Sequence, residues 1–96
     1  MSLPVKLTQA AVADLDDTWL YIAMDDRLAA DRFLDLLQGK CSKLGEFPEM
    51  GRVRPELGEA IRSFPFRRYV ILYTVTSDAI FVLRIVPGAR DLPNLF

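Results

Sequence analysis

The chain has 96 residues, 51% hydrophobic and 26% charged, a composition that fits one small globular domain over residues 1–96 and excludes a disordered or multidomain chain. Its 12 basic and 13 acidic side chains leave a formal charge of −1, so no net basic field marks it for sequence-specific nucleic-acid binding. One cysteine, Cys41, and no histidine remove disulfides, thiolate pairs, imidazole ligands and His-dependent triads, so neither a metal nor a cofactor is expected.

Charge is unevenly spread. Residues 1–48 carry five basic and eight acidic groups (−3), residues 49–96 seven basic and five acidic (+2), so an acidic partner or a polyanion is expected to meet the second half. No apolar stretch reaches about 18 residues and Met1 to Leu7 lacks a signal-peptide pattern, which points to a soluble cytoplasmic protein with no membrane partner.

Val5-Lys6-Leu7 alternates as a short strand, and Thr8 offers a hydroxyl to cap a helix beginning near Gln9. The apolar residues Val12, Leu15, Trp19, Ile22 and Ala23 then fall along one helical stripe. Asp25-Asp26 interrupts it and caps a second helix, whose stripe runs through Ala29, Phe33, Leu36, Leu37, Lys40 or Cys41, and Leu44 until Gly45 and Pro48 stop it. So short a link makes the two helices an antiparallel hairpin. Gly39 reads as a point of close packing within the second helix.

Residues 45–59 hold three glycines and two prolines and read as a loop. Ala60 to Ser63, Arg68 to Thr76 and Ala79 to Val86 then read as three meander strands, parted by turns at Phe64 to Arg67 and at Ser77-Asp78. The expected fold is α+β, a helical hairpin packed on one face of an antiparallel sheet in the order β-α-α-β-β-β.

The turn at Ser77-Asp78 predicts the pairs Val75 with Ile80, Tyr73 with Val82, Ile71 with Arg84 and Tyr69 with Val86. A turn at Pro65-Phe66 pairs Arg62 with Tyr69 and Ile61 with Val70. Val70, Leu72, Thr74, Phe81, Leu83 and Ile85 then share the more uniformly apolar face, which is expected to meet the helices. The opposite face would carry Arg62, Tyr69, Ile71, Tyr73, Val75, Ile80, Val82, Arg84 and Val86. Arginine and tyrosine in an aliphatic surface are the composition of a protein-binding patch, so a partner polypeptide is expected there. The alternatives are coverage by the chain's own end, Gly88 to Phe96, or by a second copy.

The segments Ala13-Asp14-Leu15, Tyr21-Ile22-Ala23, Phe47-Pro48-Glu49-Met50-Gly51-Arg52, Ile61-Arg62-Ser63, Tyr69-Val70-Ile71-Leu72-Tyr73 and Val86-Pro87-Gly88-Ala89-Arg90-Asp91 occur in order along nearly the whole chain. Together they resemble the ParE branch of the RelE/ParE toxin superfamily. That resemblance implies the toxin of a type II toxin-antitoxin module of the plasmid-stabilisation kind. Such a toxin is held inactive by a ParD-like antitoxin and poisons DNA gyrase when free. RelE-like relatives instead cleave mRNA on the ribosome.

The residue inventory separates the two activities. Cleavage through a 2′-hydroxyl needs a proton acceptor and a donor near neutral pH. The basic residues from 49 onward are all arginine, which binds phosphate but is a poor base. Tyr69, Tyr73, Glu56, Glu59 and Asp91 form no pair that the sequence places. No catalytic residue is therefore assigned, and inhibition by binding is favoured over a RelE-like endoribonuclease. The antitoxin is expected to lie over the helical hairpin and over the face of Arg62, Tyr69, Ile71, Tyr73, Val82 and Arg84, with carboxylates from it meeting the arginines. A charge reversal at Arg84 would then weaken the complex. Arg52, Arg54, Arg90, Leu95 and Phe96 are candidates for the target contact, and Trp19 and Cys41 for the core.

Overall fold

The computed structural model describes residues 2–88 together with Leu92. Thr8 and Asp26 cap the two helices as their chemistry requires: the Thr8 hydroxyl accepts from the Ala11 N–H at 3.1 Å and the Asp26 carboxylate from that of Ala29 at 3.2 Å. Strand β1 (Val5–Leu7) leads into helix α1 (Gln9–Ala23), and α2 (Arg27–Glu46) returns antiparallel to it. A two-residue strand β2 (Arg52–Val53) follows, then β3 (Ile61–Phe66), β4 (Tyr69–Val75) and β5 (Ile80–Pro87). The sheet order is β1-β5-β4-β3-β2. The expected α+β fold is present, with two additions: β1 lies parallel to β5, and β2 extends the far edge antiparallel to β3.

The register explains which face the helices cover. Strand β3 does not stop at Ser63 but runs through Phe64-Pro65-Phe66, so the turn falls at Arg67-Arg68, with Arg67 at φ +57°. Arg62 therefore pairs with Tyr73 and Phe66 with Tyr69, not Arg62 with Tyr69. Adding Phe64 and Phe66 to the face of Tyr69, Ile71 and Tyr73 makes it the heavier apolar side, and this is the side that the helices cover. Phe33 of α2 meets Phe66 and Tyr69 edge-on, with ring centroids 5.4 and 5.2 Å away. Ala11, Leu37, Cys41 and Leu44 pack with Ile71, Tyr73, Ile80, Val82 and Ile85 in the same core. The expected face assignment is thus inverted.

The hairpin of β4 and β5 keeps its expected pairs Val75 with Ile80 and Tyr73 with Val82. It then shifts, so that Leu72 meets Arg84 and Ile71 meets Ile85. Leu83 is the extra residue of a β-bulge, which changes the alternation beyond it and sends Ile85 inward with Val82. Helix α1 satisfies the groups that the bulge leaves unpaired. The Thr8 hydroxyl donates to the Leu83 carbonyl at 2.9 Å, and the Asp14 carboxylate accepts from the Ile85 N–H at 2.9 Å.

The other face of the sheet is not bare. Leu57 from the loop and Leu92 from the chain's end pack with Ile61, Leu72 and Val86, and Val70 and Leu83 lie against them. At the start of the chain, the Leu3 N–H donates to the Gly45 carbonyl at 2.9 Å. A Cβ on Gly45 would come within 2.5 Å of the Leu3 carbonyl oxygen, so glycine is what lets β1 close against the end of α2. Gly39 has no such neighbour, so the close packing expected there is absent.

Candidate functional site

Of the six residues expected to form an open receiving face, Ile71, Tyr73 and Val82 are fully buried and Tyr69 is half-buried against Phe33. The two arginines are engaged within the chain. Arg84 forms a two-pronged ion pair with Asp14, Nε to Oδ2 at 2.7 Å and Nη2 to Oδ1 at 3.0 Å, and the carboxylate raises its pKa further. Arg62 donates to the Gly51 carbonyl at 2.7 Å. The six residues therefore do not make a free surface. Tyrosine and arginine were poor markers of exposure because each has its polar end satisfied at the margin of the core.

Tyr73 shows how this is done. Its ring is buried among aliphatic residues. Its hydroxyl donates to the Pro48 carbonyl and accepts from the Gly51 N–H, both at 2.8 Å. Burial pushes the Tyr73 pKa upward, against the opposing pull of the Gly51 N–H and Arg62. The loop from Pro48 to Gly51 is thereby fastened across the sheet edge, and Arg62 fastens it a second time.

The fastened loop continues directly into the second expected set. Arg52 is exposed on β2. Arg54 donates to Glu56 Oε2 at 2.9 Å and to Ser63 Oγ at 3.1 Å, and Arg54 in turn lowers the Glu56 pKa. Both arginines line a shallow cleft of about 400 Å³ with Met50, Ser63, Phe64 and Val70. Arg90, Leu95 and Phe96 lie outside the described residues.

The large exposed apolar surface is on the helices. Helix α1 fully buries only Ala11 and Thr18. Met24 is 88% exposed, Tyr21 72%, Leu28 67% and Leu20 57%, with Val12 and Leu36 near half. Single exposed apolar residues are ordinary, but here six of them fall on the two helices of the hairpin and its turn. Leu15 and Ile22 of the α1 stripe pack against the core, whereas Val12 and Trp19, the latter expected in the core, line an open groove with Leu15 and Leu34. Trp19 is half-buried and its indole N–H donates to Asp31 at 2.9 Å. The signal available in the sequence was the surplus: Leu20, Tyr21, Met24 and Leu28 are apolar residues that neither helical stripe accounts for. Cys41 is buried as expected, and burial pushes its thiol pKa up.

Among the described residues no group of three or more acidic or cysteine side chains is placed to hold a metal ion, and no helix is long and apolar enough to cross a membrane.

Comparison with known proteins bears on the same architecture. The chain is 26% identical over 86 residues to Toxin ParE3 of Caulobacter vibrioides, covering 88% of this chain and 86% of that protein. Its fold is similar to a chain of the chromosomal ParDE TA system from P. aeruginosa, with a TM-score of 0.74 at 21% identity over 90% of this chain and 96% of that one. It is also similar to the solution structure of HP0894 from Helicobacter pylori, with a TM-score of 0.50 at 18% identity over 98% and 99% of the two chains. The family model described as ParE toxin of type II toxin-antitoxin system, parDE, matches residues 5–92. The chain accordingly belongs to the ParE toxins of type II toxin-antitoxin systems.

Proposed function

We propose that this toxin inhibits DNA gyrase by binding it, and that a ParD-like antitoxin neutralises it by covering the helical hairpin in the cytoplasm. The observation that carries the second half is the exposure of Leu20, Tyr21, Met24 and Leu28 on the hairpin, each more than half exposed. Removing those side chains from water favours association by roughly 25 cal/mol for each Å², against which the costs of association and ordering are set. Family membership supports the first half, and so does the exposed Arg52, which directly follows a loop fastened by Tyr73 and Arg62. A rigid loop presents its charges to a partner without an ordering cost on binding.

The test is a supercoiling assay with purified gyrase. The toxin should abolish supercoiling, and the antitoxin encoded in the adjacent reading frame should restore it. Unchanged supercoiling together with cleavage of ribosome-bound mRNA by the same preparation would reverse this reading.

A further inference from the structure

Helix α1 turns a polar face toward the end of the sheet. Asp14, Asp17, Thr18 and Tyr21 follow helical spacing, and with Arg68, Tyr69 and the end of β5 from Arg84 to Pro87 they line a cleft of about 460 Å³. The groove of Val12, Leu15, Trp19 and Leu34 shares none of these residues. Thr18 is only 7% exposed, and its hydroxyl has no hydrogen-bond partner among the described residues. No side-chain polar atom there is sealed off without a partner, so that hydroxyl opens into the cleft. The charged side chains lining the cleft are Asp14, Asp17, Arg68 and Arg84. Asp14 and Arg84 neutralise each other. Asp17 on α1 and Arg68 before β4 are both exposed, and among the described residues neither is in an ion pair. The neighbouring Arg67 lies over the Phe66 ring, 5.8 Å from its centroid, and is not part of the lining.

One wall of the cleft thus carries an uncompensated carboxylate and another an uncompensated guanidinium. A ligand of a single sign would be attracted to one and repelled by the other, whereas a molecule with both signs answers both. Asp14 takes the Nε and one Nη2 hydrogen of Arg84, which fixes the guanidinium plane and leaves Nη1 to bind a further carboxylate. Tyr21, Tyr69, Ile85 and Val86 supply apolar sides, the mixture expected of a small-molecule site. We infer that the cleft binds a small zwitterion, a free α-amino acid or a dipeptide, whose carboxylate meets Arg68 and Arg84 and whose ammonium meets Asp17. The Thr18 hydroxyl serves the polar atoms between the two charges. This site depends on neither the gyrase nor the antitoxin reading.

The probes are L-leucine, the dipeptide glycyl-leucine, its N-acetyl derivative, which lacks the ammonium, and its C-terminal amide, which lacks the carboxylate. Each is titrated into the full-length toxin by calorimetry, with the NMR methyl signals of Thr18, Ile85 and Val86 reporting the place of binding. At least one of the two zwitterions should bind with a Kd of about 1 mM or tighter and shift those signals. Each capped peptide should bind at least about five-fold more weakly than glycyl-leucine if the dipeptide is the ligand, and neither should bind if the free amino acid is. Either zwitterion supports the site, and the tighter one names its source. Asp17→Asn should weaken zwitterion binding and remove its advantage over the acetylated peptide, and Arg68→Gln its advantage over the amide. Both residues are exposed and unpaired, so thermal unfolding of the two variants should match the native chain. No binding of either zwitterion up to about 10 mM, equal binding of capped and uncapped peptides, shifts confined to other residues, or unchanged affinities in both variants would overturn the inference.

Discussion

At the residue scale, the Tyr73 hydroxyl is the point where core and loop meet. One oxygen serves the Pro48 carbonyl and the Gly51 N–H, so Tyr73→Phe leaves two backbone groups without a partner at little change in volume. A loss of about 1–3 kcal/mol is expected in urea unfolding; a loss below about 0.5 kcal/mol would mean that the loop is not held this way. Gly51→Ala gives an independent view, because its Cβ would meet the Tyr73 hydroxyl at 2.5 Å and the Ser63 carbonyl oxygen at 2.9 Å. The sign of the pH dependence also follows. The folded state holds the Tyr73 proton more tightly than the unfolded chain does, so its contribution is complete below the ordinary tyrosine pKa near 10 and is lost as pH rises through the higher folded value. Stability should therefore fall more steeply above about pH 10 in the native chain than in Tyr73→Phe.

At the scale of elements, the bulge at Leu83 and helix α1 depend on each other. Strand β1 pairs with β5 only at Ile80 to Val82, and beyond that point Asp14 takes the place of a strand partner for the Ile85 N–H. The same carboxylate holds Arg84. Asp14→Ala removes three hydrogen bonds and leaves a half-buried guanidinium without its counter-ion, so a destabilisation of about 2–4 kcal/mol is expected by thermal or urea unfolding. Asp14→Asn, which keeps an acceptor for Ile85, should lose less. Equal stability of all three proteins would show that Arg84 and the bulge hold without α1. Charge reversal at Arg84 acts first on the fold, since it sets a carboxylate against Asp14. A weakened antitoxin complex in that variant would not locate an interface.

For the whole molecule, the sheet is covered on both sides, by the hairpin and by a smaller cluster around Leu57 and Leu92. Leu57→Ala should cost about 2–4 kcal/mol in urea unfolding through the cavity it leaves under the loop. A change below about 0.5 kcal/mol would remove the second cluster from the core. The helix caps, the hairpin of helices and the meander were legible from local chemistry, because Thr8, Asp26 and the turn at Ser77-Asp78 act within a few residues of themselves. The register next to that turn was legible for the same reason.

The amino-acid order alone therefore determined the elements, their sequence and the class of fold, all set by short-range periodicity and capping. Which side of the sheet faces the helices was decided only in three dimensions. Both sides are apolar enough to be buried, and the balance rested on where β3 ends and on one inserted residue in β5. The polar ends of Tyr73, Arg62 and Arg84 found partners 11 to 70 residues away in the chain. Those contacts satisfy the polar ends of the sheet residues within the chain itself.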